Sequence, residues 1–299
     1  MPQNCYILNK KKTAFCRLFV FAKRRCMWYV QCMKNKTYGI CYNPNIERAA
    51  SVKEQLYNLL SSYGISADIL NIDNLKSGYD FIFVIGGDGT ILKCARFYAK
   101  FSTPIFGINL GRLGFLSQSS QADIANSVSK IINGKYVVQD RIMLQSGSAV
   151  ALNDFVIKGC SAGRTSRFLL KINNRPVCDY LADGIIISTP TGSTAYGLSA
   201  GGPVIVPGLN AFIIVPICPH TLTARPLVIP DNEEITISSG DDEKEYVIST
   251  DGQEFFESAA EIKIKKADYS AKLALLDNAD FYSILRDKLF WGTSPAKIC

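Results

Sequence analysis

The chain reads as two folded units: an α/β domain with a parallel sheet in its N-terminal part, then a mostly antiparallel, all-β domain. Three patterns predict this. Apolar, strand-like runs alternate with segments of helical periodicity across residues 37–135. One of those runs, Asp80–Ile85 (DFIFVI), is apolar almost throughout and stops at Gly86-Gly87, as a strand buried on both faces does. After Gly134 the helical spacing gives way to short segments separated by turn residues.

Thr37–Cys41 reads as the first strand, and Asn43-Pro44 marks the loop after it. Ala49, Val52, Leu56, Leu59 and Leu60 recur at helical spacing within Ile46–Tyr63, and Gly64 suits its C-terminal stop. A second strand is expected at Ser66–Leu70, the buried one at Asp80–Ile85 and another at Thr103–Ile108. Helices are expected at Thr90–Lys100 and at Ala122–Ile132, the latter ending at Asn133-Gly134. The β-rich part should comprise Tyr136–Leu144, Ala149–Lys158, Phe168–Ile172, Gly184–Ser188, Val204–Val206, Ala211–Val215, Glu234–Ser238, Tyr246–Thr250 and Glu261–Lys265. Phe281–Phe290 is expected to be a helix that packs back on the first domain. The organisation is therefore a basic arm over 1–36, an α/β domain over 37–135 joined by the segment 275–299, and a β-rich domain over 136–274.

At 299 residues the chain is long enough to bury full cores without disulfide or zinc staples. Its formal charge of +7 is localised: nine of the 33 Lys and Arg lie in residues 1–36, which hold no Asp or Glu. The rest carries 24 basic and 26 acidic side chains, so no general electrostatic footprint for nucleic acid is present. The arm reads either as a tail or as an over-long start, with Met33 the true beginning. Ten Cys without C-x-x-C spacing, and a single His, give no zinc ligand set and suit reduced thiols inside a cell. No apolar run reaches the roughly 18–20 residues of a membrane span, and Leu18–Ala22 is too short for a signal peptide. A cytoplasmic protein without membrane attachment is expected.

Chemistry concentrates in a few places. Gly86-Gly87-Asp88-Gly89-Thr90 lies between the buried strand and a helix. Glycines there let the backbone approach a ligand, successive N–H groups form an anion nest, and the helix N-terminus adds positive dipole. Asp88 inside that loop suits a proton acceptor or a holder of Mg²⁺; the alternative is a tight turn with Asp88 as helix N-cap. A second feature is the 41 residues between Asp183 and Arg225, which contain no Asp, Glu, Lys or Arg but many hydroxyls, among them Thr189, Thr191, Ser193, Thr194, Tyr196 and Ser199. Hydroxyls and free amides suit riboses and a pyrophosphate, although a buried Ser/Thr-rich turn has the same composition. Asn153-Asp154 pairs an amide with a carboxylate, able to grip vicinal hydroxyls or to form an Asx turn. Asp183-Gly184 and Thr250-Asp251-Gly252-Gln253 are weaker signals of the same kind. Asn109–Phe115 (NLGRLGF) reads as a glycine-rich lip after a strand. His220 reads as structural, because no nucleophile adjoins it.

Taken together, these segments resemble the NAD kinase family: GGDGT at 86–90, NLGRLGFL at 109–116, LND at 152–154, DG at 183–184, STPTGSTAY at 188–196, LSAGGP at 198–203, PHTLTARPL at 219–227 and DGQ at 251–253. GGDGT alone is also similar to phosphofructokinases and diacylglycerol-type lipid kinases. The resemblance implies transfer of a phosphoryl group from ATP, with a divalent metal, to the 2′-hydroxyl of the adenosine ribose of NAD. Asp88 matches the family's proton acceptor, and Gly86, Gly87, Gly89 and Thr90 the loop that meets the triphosphate. Asn153 and Asp154 match a ribose-gripping pair that is more often Asn-Glu. Asp183 matches a contact to the nicotinamide end. Thr194, Ala195, Tyr196, Gly197, Leu198 and Ser199 match the segment that wraps the dinucleotide, with Tyr196 near an aromatic base. Arg164 and Gln253 match weaker, more variable contacts. No side chain is assigned as a metal ligand, since Mg²⁺ would arrive with ATP. The family pattern also implies a homo-oligomer, dimer or tetramer. The rival readings are a lipid or sugar kinase sharing GGDGT, and a non-catalytic sensor of NAD or NADP.

Overall fold

The computed structural model describes residues 36–111, 114–159, 165–240, 246–258, 261–276 and 280–290. The basic arm, apart from Lys36, and Arg164 lie outside the described residues.

The first sheet has the order β2-β1-β3-β4-β19-β6, with β5 (Ser119–Ser120) beside β4. Strands β1 (Tyr38–Tyr42), β2 (Ala67–Asn71), β3 (Phe81–Ile85) and β4 (Ile105–Asn109) pair in parallel. The predicted αβ alternation is present because both faces of β3 are covered. Phe81, Phe83 and Ile85 pack with α1 (Glu47–Ser62) and α3 (Ile124–Ile132), while Ile82 and Val84 pack with α2 (Asp88–Ala99). Full burial of each such aromatic contributes about 1.5–3 kcal/mol. Helix α1 ends as expected, with Gly64 at φ 71° donating to Ser61 O at 2.9 Å.

The second unit is a sandwich of two six-stranded antiparallel sheets. One has the order β11-β10-β15-β18-β7-β8 and the other β14-β13-β12-β9-β16-β17. The inward residues of β9 (Asp154–Gly159) are Phe155 and Ile157, those of β12 (Gly184–Ser188) Ile185 and Ile187, and Ile248 projects from β16 (Tyr246–Thr250). They meet Phe168 and Leu170 of β10 (Ser166–Ile172), Ile235 and Ile237 of β15 (Ile235–Ser239), and Ile262 and Ile264 of β18 (Glu261–Lys266). By the two-residue alternation of a strand, Asp154, Val156 and Lys158 face the opposite side.

Several sequence expectations are corrected. Tyr136–Leu144 is two strands, β6 (Tyr136–Arg141) and β7 (Leu144–Ser146). Strand β6 pairs antiparallel with β19 (Ala271–Leu276) in the first sheet, so that sheet extends past residue 135. Tyr136 stands edge-on to Phe81 with ring centroids 5.6 Å apart, which draws β6 to this core. Ala149–Lys158 also divides, into β8 (Ala149–Ala151) and β9, which belong to different sheets. Val204–Val206 forms no ladder, because the Ser193 hydroxyl occupies Ile205: Ile205 N donates to Ser193 Oγ at 3.0 Å and Ser193 Oγ donates to Ile205 O at 3.1 Å. Strands β11 (Arg175–Ala182), β13 (Ala211–Ile217), β14 (Leu227–Pro230) and β17 (Glu254–Ser258) complete the sandwich. The last helix, α5 (Phe281–Leu289), is capped by Asp280, whose carboxylate accepts from Tyr282 N and Ser283 N. Its Phe281 and Ile284 share a cavity wall with Val137, Val138 and Leu275 of the first sheet.

Candidate active site

The glycine-rich turn joins β3 to α2. The helix begins at Asp88, and Gly87 is the N-cap, so Asp88 is free of the capping role that was its alternative. Its carboxylate is held instead from the lip after β4: Phe115 N donates to Oδ2 at 3.0 Å and Leu116 N to Oδ1 at 3.3 Å. Gly86 has no room for a side chain, since a Cβ would lie 2.6 Å from Thr90 Cβ. A Cβ on Gly114 would overlap both carboxylate oxygens of Asp88. Gly114→Ala should therefore push Asp88 off its two amides. Misplacing a reacting group by about 1 Å is worth about 100-fold in rate, so kcat of this variant should fall about 10–100-fold. Steady-state kinetics beside circular dichroism checks this; a folded variant with wild-type kcat would count against the Asp88 geometry.

Asn153 and Asp154 sit where the chain passes from one sandwich sheet to the other. The cause of that crossing is Asp251, at φ 51° in the turn after β16. Its carboxylate accepts from three successive amides, Leu152 N at 3.1 Å, Asn153 N at 2.7 Å and Asp154 N at 3.2 Å. The hydroxyl-rich loop closes on the same point. Thr189 Oγ1 donates to Leu152 O at 2.6 Å, Thr189 N to Asn153 O at 2.9 Å and Ser188 Oγ to Asn153 O at 3.2 Å. Ser188, Thr189 and Ser193 are buried and used internally, so the hydroxyls open to a ligand are fewer than the composition suggested. From the first domain, buried Arg141 on β6 adds a contact from Nη1 to Thr191 Oγ1 at 3.3 Å, and its desolvation lowers its pKa to about 10.

A cavity of about 370 Å³ opens on the outer face of the β9–β16 pair. Asn153, Asp154, Lys158, Ala195, Tyr196, Ser249, Asp251 and Phe255 lie among its walls. Tyr196 opens the short helix α4 (Tyr196–Ser199), and Lys158 Nζ lies 5.7 Å from its ring centroid. Thr194 donates to Thr191 O at 3.4 Å, Gly197 is buried and Ser199 is exposed. Leu198 lies partly buried beside them.

Comparison with known proteins decides the family. Models described as the ATP-NAD kinase N-terminal domain and the ATP-NAD kinase C-terminal domain match residues 67–136 and 152–276. The chain is 38% identical over 279 residues to the NAD kinase of Thermoanaerobacter sp. (strain X514), covering 85% of this chain and 99% of the relative. It is 43% identical over 233 residues to that of Carboxydothermus hydrogenoformans, covering 74% and 83%. The chain belongs to the NAD kinase family. Its fold is similar to that of an NAD kinase from Archaeoglobus fulgidus in complex with ATP, with a TM-score of 0.73 and 26% identity over 85% of this chain and 98% of that one. Yeast NADH kinase complexed with NADH gives 0.76 at 22% identity over 87% and 89%, a likeness of fold.

The remaining residues suggested by resemblance to the NAD kinase family fall in different places. Asp183 is exposed at the start of β12, while Thr189–Ser199 follow that strand's other end; five strand residues span roughly 17 Å. Gln253 has both ends of its amide engaged inside the protein, Oε1 with Arg96 and Nε2 with Gly89 O at 2.7 Å. His220 is exposed, and its backbone N donates to Leu181 O at 2.8 Å, away from the cavity walls. Of the thiols among the described residues, Cys41 and Cys94 are buried, Cys178 is half-buried and Cys218 is exposed.

Two residues of consequence carried little or no sequence signal. Arg96, 6% exposed, lies on α2 amid Leu92, Ala95 and Ala99 of the apolar face; a charge on an otherwise apolar helical stripe was the available clue. Asp251 looked like one more Asx turn.

Asp154 is 3% exposed, and burial, with the Asp251 charge second, raises its pKa to about 7. A carboxyl that holds its proton more tightly when folded stabilises the fold fully below the unfolded pKa near 4. That contribution is lost as pH rises to about 7. Removing the titration with Asp154→Asn should make the variant gain stability relative to wild type between pH 5 and pH 8, by about 2–3 kcal/mol at most. Urea unfolding at the two pH values checks this; a pH-independent difference would refute the buried-acid assignment.

Proposed function

We propose that this chain is an ATP-dependent NAD kinase in which Asp88 takes the proton from the 2′-hydroxyl of the adenosine ribose. One observation carries the residue assignment. The Asp88 carboxylate is aimed by the Phe115 and Leu116 amides, while the same glycine turn is tied through Gly89 and Gln253 to the turn that shapes Asn153-Asp154. The names of the family models and relatives support the substrates, as does the ATP complex of the A. fulgidus enzyme.

In the step, the 2′-oxygen bonds to the γ-phosphorus, the bond from that phosphorus to the oxygen of the departing ADP breaks, and the proton passes to Asp88 and then to solvent. A loose phosphoryl transition state asks mainly for position and charge neutralisation. The amides of Gly87 and Gly89 and the dipole of α2 supply that charge at the triphosphate, while Thr90 N closes the turn on Gly87 O at 3.0 Å. Asn153 and Asp154 grip the ribose hydroxyls, Thr194–Ser199 wraps the dinucleotide and Tyr196 stacks on a base. Among the described residues, no three His, Cys, Asp or Glu side chains converge to hold an ion. Mg²⁺ enters the proposal as part of the nucleotide substrate, and no step is routed through a protein-held metal.

The position of Asp183, exposed and beyond the far end of β12, suits a site completed by a second copy, and we place the protein in the cytoplasm as a homo-oligomer. The test supplies purified protein with labelled ATP, Mg²⁺ and either NAD or a diacylglycerol, and reads NADP with an NADP-specific dehydrogenase. NADP formation that EDTA abolishes and Asp88→Asn cripples supports the reading. Label on the lipid, or NAD binding without NADP, overturns it.

A further inference from the structure

Arg96 lies eight residues after Asp88 on α2, about 12 Å along the helix axis. Its guanidinium crosses to the sandwich. Nη1 donates to Thr250 O at 3.2 Å and to Asp251 Oδ2 at 3.4 Å; Nη2 donates to Gln253 Oε1 at 3.0 Å and to Glu254 Oε1 at 2.9 Å. The Arg96 and Asp251 side chains are 7% and 0% exposed. Two further links close the circuit. Asp251 binds the three amides that shape Asn153-Asp154, and Gln253 reaches back to Gly89 O in the glycine turn. A planar fork with two acceptors on each branch is a task for Arg, not for the point charge of Lys.

We propose that Arg96 is a positioning residue for phosphoryl transfer. Through Asp251 it fixes the ribose-gripping loop relative to Asp88, and through Gln253 it fixes the glycine turn that carries Asp88. This rests on the site reading above. Substrate affinity depends on each loop's own shape, whereas turnover depends on the distance between them. Losing the strut therefore lowers kcat more than it weakens NAD binding.

The test compares wild type, Arg96→Met, Arg96→Lys, Gln253→Met and Asp88→Asn by kcat with ATP and NAD, by NAD dissociation constant from calorimetry, and by Tm. Arg96→Met is expected to lose about 10–100-fold in kcat with an NAD dissociation constant within about threefold of wild type, and Arg96→Lys to recover part of the loss. Gln253→Met leaves the buried ion pair in place and is expected to lose about 3–10-fold in kcat at unchanged Tm. If Arg96→Met does not fold, Gln253→Met decides alone. Folded variants with wild-type kcat, or losses matched by equal losses of NAD affinity, overturn the proposal. If these variants are normal and Asp88→Asn is inactive, only the strut fails; if Asp88→Asn turns over normally, the site reading itself fails.

Discussion

Asp88→Asn is expected to lower kcat by about 10²–10⁴-fold and to leave the NAD dissociation constant within about threefold of wild type. The substitution keeps the size of the side chain. One amide oxygen can still accept from Phe115 N or Leu116 N, so the lip after β4 keeps a partner on α2. What is lost is the capacity to accept a proton from the attacking hydroxyl. NAD affinity is set elsewhere, at Asn153, Asp154 and the 194–199 segment, so binding survives while chemistry does not. Steady-state kinetics and calorimetry on one preparation separate the two. A parallel loss of both would assign Asp88 to substrate binding instead.

Asp251→Ala is expected to destabilise the protein by about 3–5 kcal/mol, the range for breaking a buried ion pair by removing one partner. Burial pushes the Asp251 carboxyl up, against the backbone amides of Leu152, Asn153 and Asp154 and the Arg96 guanidinium, which pull it down. Every side-chain contact it makes is to a donor, and only an ionised carboxylate accepts from all of them. Alanine leaves a buried guanidinium with a lost counter-charge and three amides without their acceptor. Urea unfolding measures the difference, and a loss below about 1 kcal/mol would mean that the crossing between the sandwich sheets is held by something else.

The αβ alternation was legible because β3 is a continuous apolar run, buried at every position, and the helices over it carry a period-3.6 pattern. Strands β11, β14 and β17 were not, and all three are sheet edges, where one side of the ladder meets no strand and the alternation is weak. Pro176 in β11 and Pro230 in β14 weakened those signals further. The breaks at 142–143 and 152–153 were hidden because neither contains a Gly or Pro; a carboxylate 97 to 99 residues away imposes the second. For the same reason Asp88 was readable from its local motif, whereas Arg96 was not, its meaning lying wholly in partners 154 to 158 residues distant.

The most direct test of the account is the structure of this protein with NAD bound. The 2′-oxygen of the adenosine ribose is expected within about 2.6–3.2 Å of an Asp88 carboxylate oxygen, with Asn153 and Asp154 on the ribose hydroxyls. A ribose that meets Asn153 and Asp154 while Asp88 stays on its two amides, out of reach of both sugar hydroxyls, would contradict it.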